Sequence, residues 1–253
     1  MKEQLIIPSA EPFLFRGGST GCVLVHGFTG APKEMRLMGE ALNKKGISVL
    51  GVRLAGHATE PGDLRRTLWK DWLTSVEDGI HLLSGICDKV FIAGLSLGGI
   101  LSLISAAKHP MLQGAIAIAA PFSLGNDWRL KYARPLSVIF PSIEKQKDSS
   151  RDDETSKEHI DYPEYPTKGI AELHDLTKVM RQSLSEINIP VLLVNSDADQ
   201  TVPLWHAEMI HKGITQVQVE RMIIKGSGHV ITEDSDRDCV FDAAYHFIIK
   251  HGG

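Results

Sequence analysis

The sequence predicts an α/β protein: a mostly parallel central sheet flanked by helices, with a small helical cap insertion. Three observations predict it. Short, continuously apolar runs bounded by turn residues recur along the chain, as strands buried on both faces do. Helical patterns separate these runs, which implies parallel pairing through right-handed crossovers. The rhythm then lapses over one long central stretch before resuming.

Each element follows from its residues. Cys22–Val25 is an apolar run ending in His26-Gly27, and Pro32 opens a helix whose apolar positions (Met35, Met38, Ala41, Leu42) recur at three- and four-residue steps until Gly46. Ile47–Val52 is a second strand, followed by the loop 56–62 and a helix over Trp69–Leu83. Val90–Ala93 and Ile100–Lys108 form the next strand and helix. Ala115–Ala119, Val191–Val194 and Val219–Ile224 are further strands, and Cys239–Lys250 is a closing helix. Residues 1–121 and 188–253 therefore make the core. Residues 122–187 are the insertion, since a structureless loop of that length is improbable in a compact domain.

With 253 residues, the chain can bury a core without disulfides or metals. A net charge of -4 argues against nucleic acid as an electrostatic partner. Cys22, Cys87 and Cys239 are odd in number and widely spaced, so neither a disulfide framework nor a metal site is expected. The apolar run before Pro8 is too short for a signal peptide or a membrane span. These features predict a cytoplasmic protein without integral membrane contact, in which apolar cap residues allow weak interfacial contact. They leave the oligomeric state open.

Gly94-Leu95-Ser96-Leu97-Gly98 matches G-x-S-x-G, and its context gives the match its weight. A strand precedes it and a helix follows, the setting of a nucleophile elbow. Phosphate-binding glycine patterns are absent, so a nucleotide-phosphate site has no support. A serine hydroxyl is a poor nucleophile at neutral pH and needs a base, which in turn needs an acid to orient it. In the chain order serine, acid, histidine, the acid follows a late strand. Asp197 and Asp199 both end the Val191–Val194 strand. Asp199, in the loop before Gln200-Thr201-Val202-Pro203, is preferred, and Asp197 is assigned to capping its own turn. Of eleven histidines, His229 alone has both the right order and a glycine loop after the last strand. His109, His159, His174, His211 and His246 are expected at the surface. His26-Gly27-Phe28-Thr29-Gly30 follows the first core strand. The backbone N–H groups of Phe28 and Leu97 are therefore the expected oxyanion-hole donors, with His26 bracing the loop.

Together HGFTG, GLSLGG, DQTVP and Gly228-His229-Val230 resemble the bacterial thermostable carboxylesterases and monoacylglycerol lipases of the α/β-hydrolase superfamily. Ala10–Phe13, Arg53–His57 and Asp71-Trp72 resemble the monoacylglycerol lipase branch in particular. The resemblance implies an α/β-hydrolase fold, no cofactor, a lid over the site, and small-molecule acyl esters as substrates. Monoacylglycerols or other short- to medium-chain esters are the implied class. It also implies that Glu158, in Lys157-Glu158, contacts the glycerol hydroxyls. Ile139, Phe140 and Ile143 are candidates to line an acyl tunnel or to pack the lid onto the core. A general carboxylesterase, a thioesterase, a peptidase, an acyltransferase and a triad-retaining ligand receptor are the competing readings.

Overall fold

The structure, a computed structural model of the chain, describes residues 5–125, 130, 132–145 and 159–253. Its strands are β1 (Phe13–Phe15), β2 (Thr20–Val25), β3 (Ser48–Val52), β4 (Lys89–Leu95), β5 (Gly114–Ile118), β6 (Ser142–Glu144), β7 (Glu164–Pro166), β8 (Val191–Ser196) and β9 (Val219–Ile224). Helices are α1 (Arg36–Lys44), α2 (Pro61–Arg66), α3 (Trp69–Ser84), α4 (Leu97–Lys108), α5 (Ala133–Leu136), α6 (Thr167–Ser183), α7 (Trp205–Gly213) and α8 (Arg237–Gly252).

Seven strands form one sheet in the order β1-β3-β2-β4-β5-β8-β9, parallel throughout except for the antiparallel β1–β3 pair at one edge. Alternation along each strand makes it the middle of three layers. On one face, Val23, Ile92, Ala117 and Leu193 join a core with residues of α3, α4 and α6, including Trp72, Leu101 and Leu176. On the other, Leu24, Phe91, Ile116 and Val194 pack with Met38, Phe241 and Phe247 of α1 and α8.

Two features differ from the reading of the sequence. The edge strand β1 is only three residues long, too short for a periodic signal. It is fixed by the Phe13 ring, which occupies the space above Gly51 and Gly39. A Cβ on Gly51 would lie 2.1 Å from Phe13 Cε1, and one on Gly39 would lie 2.7 Å from Cε2.

The described part of the central stretch is also less separate from the core than expected. Its described part contains the short α5 and an antiparallel ladder in which Ile143 pairs with Tyr165. Helix α6 carries Leu173, Leu176 and Met180 into the same core as α3 and α4. It is the crossover helix between β5 and β8, and through these residues it packs as part of the α/β layers. The strand–helix rhythm is hidden there because the crossover follows a long excursion.

Candidate active site

In a parallel sheet the loops leaving the strands' C-terminal ends gather at one edge. Here these are the His26–Gly30 loop after β2, the turn after β4, the loop after β8 and the loop after β9.

Ser96 lies between β4 and α4 with φ 54° and ψ -111°, in left-handed space that a non-glycine residue occupies only under constraint. The constraint is close packing. A Cβ on Gly94 would fall 2.2 Å from the Gly98 carbonyl carbon, and one on Gly98 would fall 2.1 Å from the Val25 carbonyl oxygen. The Ser96 N–H donates to the Ile118 carbonyl at 2.8 Å, fixing the elbow to β5. Because α4 begins at Leu97, the helix directs its unpaired N–H groups and positive end toward the serine.

His229 Nε2 lies 3.0 Å from Ser96 Oγ, and His229 Nδ1 lies 2.7 Å from Asp199 Oδ2. With Nδ1 donating to the carboxylate, Nε2 is left to accept from the serine hydroxyl. The other Asp199 oxygen accepts from the N–H groups of Thr201 and Val202 at 2.8 and 2.9 Å. Burial would raise the Asp199 carboxyl, but the hydrogen bond and charge of His229 and the two backbone donors outweigh it and hold the group below its ordinary value. The Asp197 carboxylate instead accepts from Gly226 N–H at 2.9 Å, at the base of the His229 loop. The structure thus brings Ser96, His229 and Asp199 into one chain of hydrogen bonds and gives Asp197 a separate, structural contact.

Gly27 borders the serine: a Cβ there would sit 3.7 Å from Ser96 Cβ. Thr29, with φ 65°, bends the loop back, and the Phe28 ring packs among Trp72, His57 and Tyr165 at centroid distances of 5.8, 6.2 and 6.1 Å. His26 is fully buried, with Nδ1 donating to the Gly27 carbonyl and Nε2 accepting from Leu54 N–H at 3.1 Å. Both nitrogens are committed in a neutral ring, which leaves His26 as a brace for this loop.

Burial lowers His26 to about 4 from its ordinary 6.5. Between those values the unfolded chain binds the extra proton, so the contribution of His26 to stability is complete above about pH 6.5 and is lost as pH falls toward 4. Its size is on the order of 3 kcal/mol. His206 (to about 4) and His57 are lowered in the same sense, and Glu34, raised to about 7, opposes them. Urea unfolding should show the midpoint falling between pH 7 and pH 5, and falling less in His26→Asn. An equal fall in both proteins contradicts the assignment.

The remaining expected residues are placed differently. Ile139, Phe140 and Ile143 are 71%, 61% and 52% exposed, so they do not pack onto the core. Val138 beside them is 86% exposed. Glu158 lies outside the described residues. His159, expected at the surface, has a side chain only 5% exposed. His206, given no role in the sequence, accepts from Phe122 N–H at 2.9 Å and anchors the start of the cap segment. No pattern of spacing marks either residue.

A hydroxyl, an imidazole and a carboxylate linked by hydrogen bonds at the C-terminal edge of such a sheet define a serine hydrolase of the α/β-hydrolase fold. Residues 19–236 match the family described as serine aminopeptidase, S33. The chain is 34% identical over 259 residues to a thermostable monoacylglycerol lipase of Bacillus sp. (strain H-257), covering all of both chains. It is 28% identical to a carboxylesterase of Bacillus subtilis (strain 168), covering 96% of this chain and 98% of the relative. A solved structure described under the metagenome-derived lipolytic enzymes LipS and LipT superposes with a TM-score of 0.90 at 28% identity, covering 97% of this chain and all of that one. The chain belongs to the S33 serine hydrolase family, among its carboxylesterases and monoacylglycerol lipases, and is a carboxylic ester hydrolase.

Proposed function

We propose that the protein cleaves monoacylglycerols or other short- to medium-chain acyl esters through an acyl-enzyme on Ser96. The observation that carries this reading is the hydrogen-bonded sequence Ser96–His229–Asp199 beneath the His26–Gly30 loop. His229 removes the hydroxyl proton as Ser96 Oγ attacks the acyl carbonyl, and Asp199 holds the imidazole in the required tautomer while stabilising its charged form. Negative charge developing on the carbonyl oxygen is met by the N–H groups of Leu97 and Phe28, each worth roughly 3–4 kcal/mol. His229 then passes its proton to the departing alkoxide, and the same groups act in reverse on water to release the acid.

Residues 122–166 act as the cap in this reading, with Glu158 near the alcohol and Ile139, Phe140 and Ile143 offering apolar surface to acyl chains or to a lipid interface. In support of a cytoplasmic setting, all three cysteines are free and Cys239 is exposed. No helix among the described residues is long and apolar enough to cross a membrane.

Initial rates on monolaurin, triolein, p-nitrophenyl esters from acetate to palmitate, a thioester series and amino-acid p-nitroanilides test the proposal. Monolaurin and medium-chain esters should be turned over well and triolein poorly. Preference for triolein, thioesters or anilides would replace this reading with a lipase, thioesterase or aminopeptidase one.

A further inference from the structure

Behind the candidate oxyanion loop lies a buried group of charges that the hydrolytic chemistry does not use. Glu34, in the 3-10 turn Pro32–Met35, is 4% exposed, and its Oε2 accepts from Gly27 N–H at 2.7 Å. The carboxylate fills the concave side of the loop, since a Cβ on Gly30 would fall 2.0 Å from Glu34 Oε1. Glu233, also buried, lies four residues beyond His229, with its N–H donating to the Val230 carbonyl at 3.0 Å.

His159, at the return of the cap segment, stands between them. Its Nδ1 lies 2.6 Å from Glu233 Oε2, and its Nε2 lies 3.7 Å from Glu34 Oε1 and 3.6 Å from Asp161 Oδ2. Lys145 completes the group by pairing with Asp161 and donating to Thr29 Oγ1 at 2.6 Å. Tyr162 N–H donates to the Thr29 carbonyl at 3.0 Å. Residues 159–162 therefore join the loop bearing Phe28 to the loop bearing His229.

We propose that His159 is a positioning residue for ester hydrolysis, setting the separation of the Phe28 N–H from the His229 imidazole by linking Glu34 to Glu233. The proposal rests on the roles given above to Phe28 and His229. When Glu34 and Asp161 are ionised, an imidazolium serves both sides, because a neutral ring donating to Glu233 turns a lone pair toward two carboxylates.

Charge count agrees. The described groups facing one another are three carboxyls (Glu34, Glu233, Asp161) and two cations (His159, Lys145), an excess of one negative charge that favours retained protons. Burial alone would lower His159, but the ionic contact with Asp161, the hydrogen bond to Glu233 and the charges of Glu34 and Glu233 raise it to about 9. Burial, reinforced by Glu233 and Asp161 against the pull of His159, raises Glu34 to about 7. Asp161, despite burial, is lowered to about 2 by its ionic contact with His159 and its hydrogen bond to Lys145. Above about pH 9 the link is lost, and activity should decline on the alkaline side.

The test is kcat and KM for p-nitrophenyl butyrate from pH 6 to 10.5, measured on wild type, His159→Gln, Glu233→Gln and Ser96→Ala. In His159→Gln we expect kcat at pH 7.5 to fall about 10- to 100-fold with KM nearly unchanged, and the alkaline decline to disappear. Glu233→Gln removes a charge that holds the proton on His159, so its alkaline decline should move to lower pH. Unchanged kcat, or an alkaline decline that persists unaltered in His159→Gln, overturns the proposal. If that variant does not fold, an unmoved decline in Glu233→Gln does so. An active Ser96→Ala would overturn the assignment of the nucleophile, and this proposal with it. An inactive Ser96→Ala beside a wild-type profile in His159→Gln removes this proposal alone.

Discussion

Replacing Ser96 by alanine is expected to lower kcat on p-nitrophenyl butyrate by at least about 10³-fold and by up to ~10⁶-fold, with the thermal midpoint nearly unchanged. The size of the effect follows from covalent catalysis. Without the hydroxyl no acyl-enzyme forms, and only binding and polarisation of the carbonyl persist to assist direct attack by water. Stability should survive because Ser96 contributes its backbone, not its side chain, to the fold: its N–H reaches Ile118 and its carbonyl accepts from Ile100 N–H at 3.1 Å. Alanine keeps the Cβ already present at φ 54° and adds no strain. Stoichiometric labelling of wild type by a fluorophosphonate, absent in Ser96→Ala, gives an independent check. Residual activity above roughly one thousandth of wild type would show that another group is the nucleophile.

Asp199→Asn is expected to cost ~10⁴-fold in kcat at neutral pH, with KM little changed. An amide presenting its N–H to His229 Nδ1 stabilises the tautomer with the proton on Nε2, facing the serine, where it cannot act as a base. An amide that instead keeps its oxygen toward His229 still lacks the charge that stabilises the imidazolium. Asp197→Asn is the matched control. It stands two residues earlier, and its carboxylate contacts only Gly226 N–H among the described hydrogen bonds, so activity should stay within a few-fold of wild type. Loss in Asp197→Asn combined with retention in Asp199→Asn would reverse the two assignments.

The chemistry of this site was legible because it is written in local backbone requirements. An elbow at Ser96 needs residues without side chains at 94 and 98, where any Cβ would overlap backbone atoms, and glycine at those positions is visible in one short window. The sequence preferred Asp199 over Asp197 for the loop that follows it, and in the structure the N–H groups of Thr201 and Val202 in that loop hold the Asp199 carboxylate. Likewise, the apolar runs of β2, β4, β5 and β8 are buried on both faces, so each announces a central parallel strand without help from its neighbours.

Taken alone, then, the sequence determined the layered α/β architecture, the order of serine, acid and histidine, and the glycines that permit a sharp turn, because each is imposed within a few residues of chain. The tertiary structure decided what depends on distant partners. β1 exists because Phe13 fills the space above Gly39 and Gly51. α6 belongs to the core because its apolar face meets α3 and α4 after a long excursion. The His159 side chain is enclosed between Glu34 and Glu233, 125 residues before it and 74 after, which supply the opposite charges that a buried imidazolium requires. Charge pairing carries no periodicity, and so a histidine in a polar stretch reads as a surface residue until the chain closes around it.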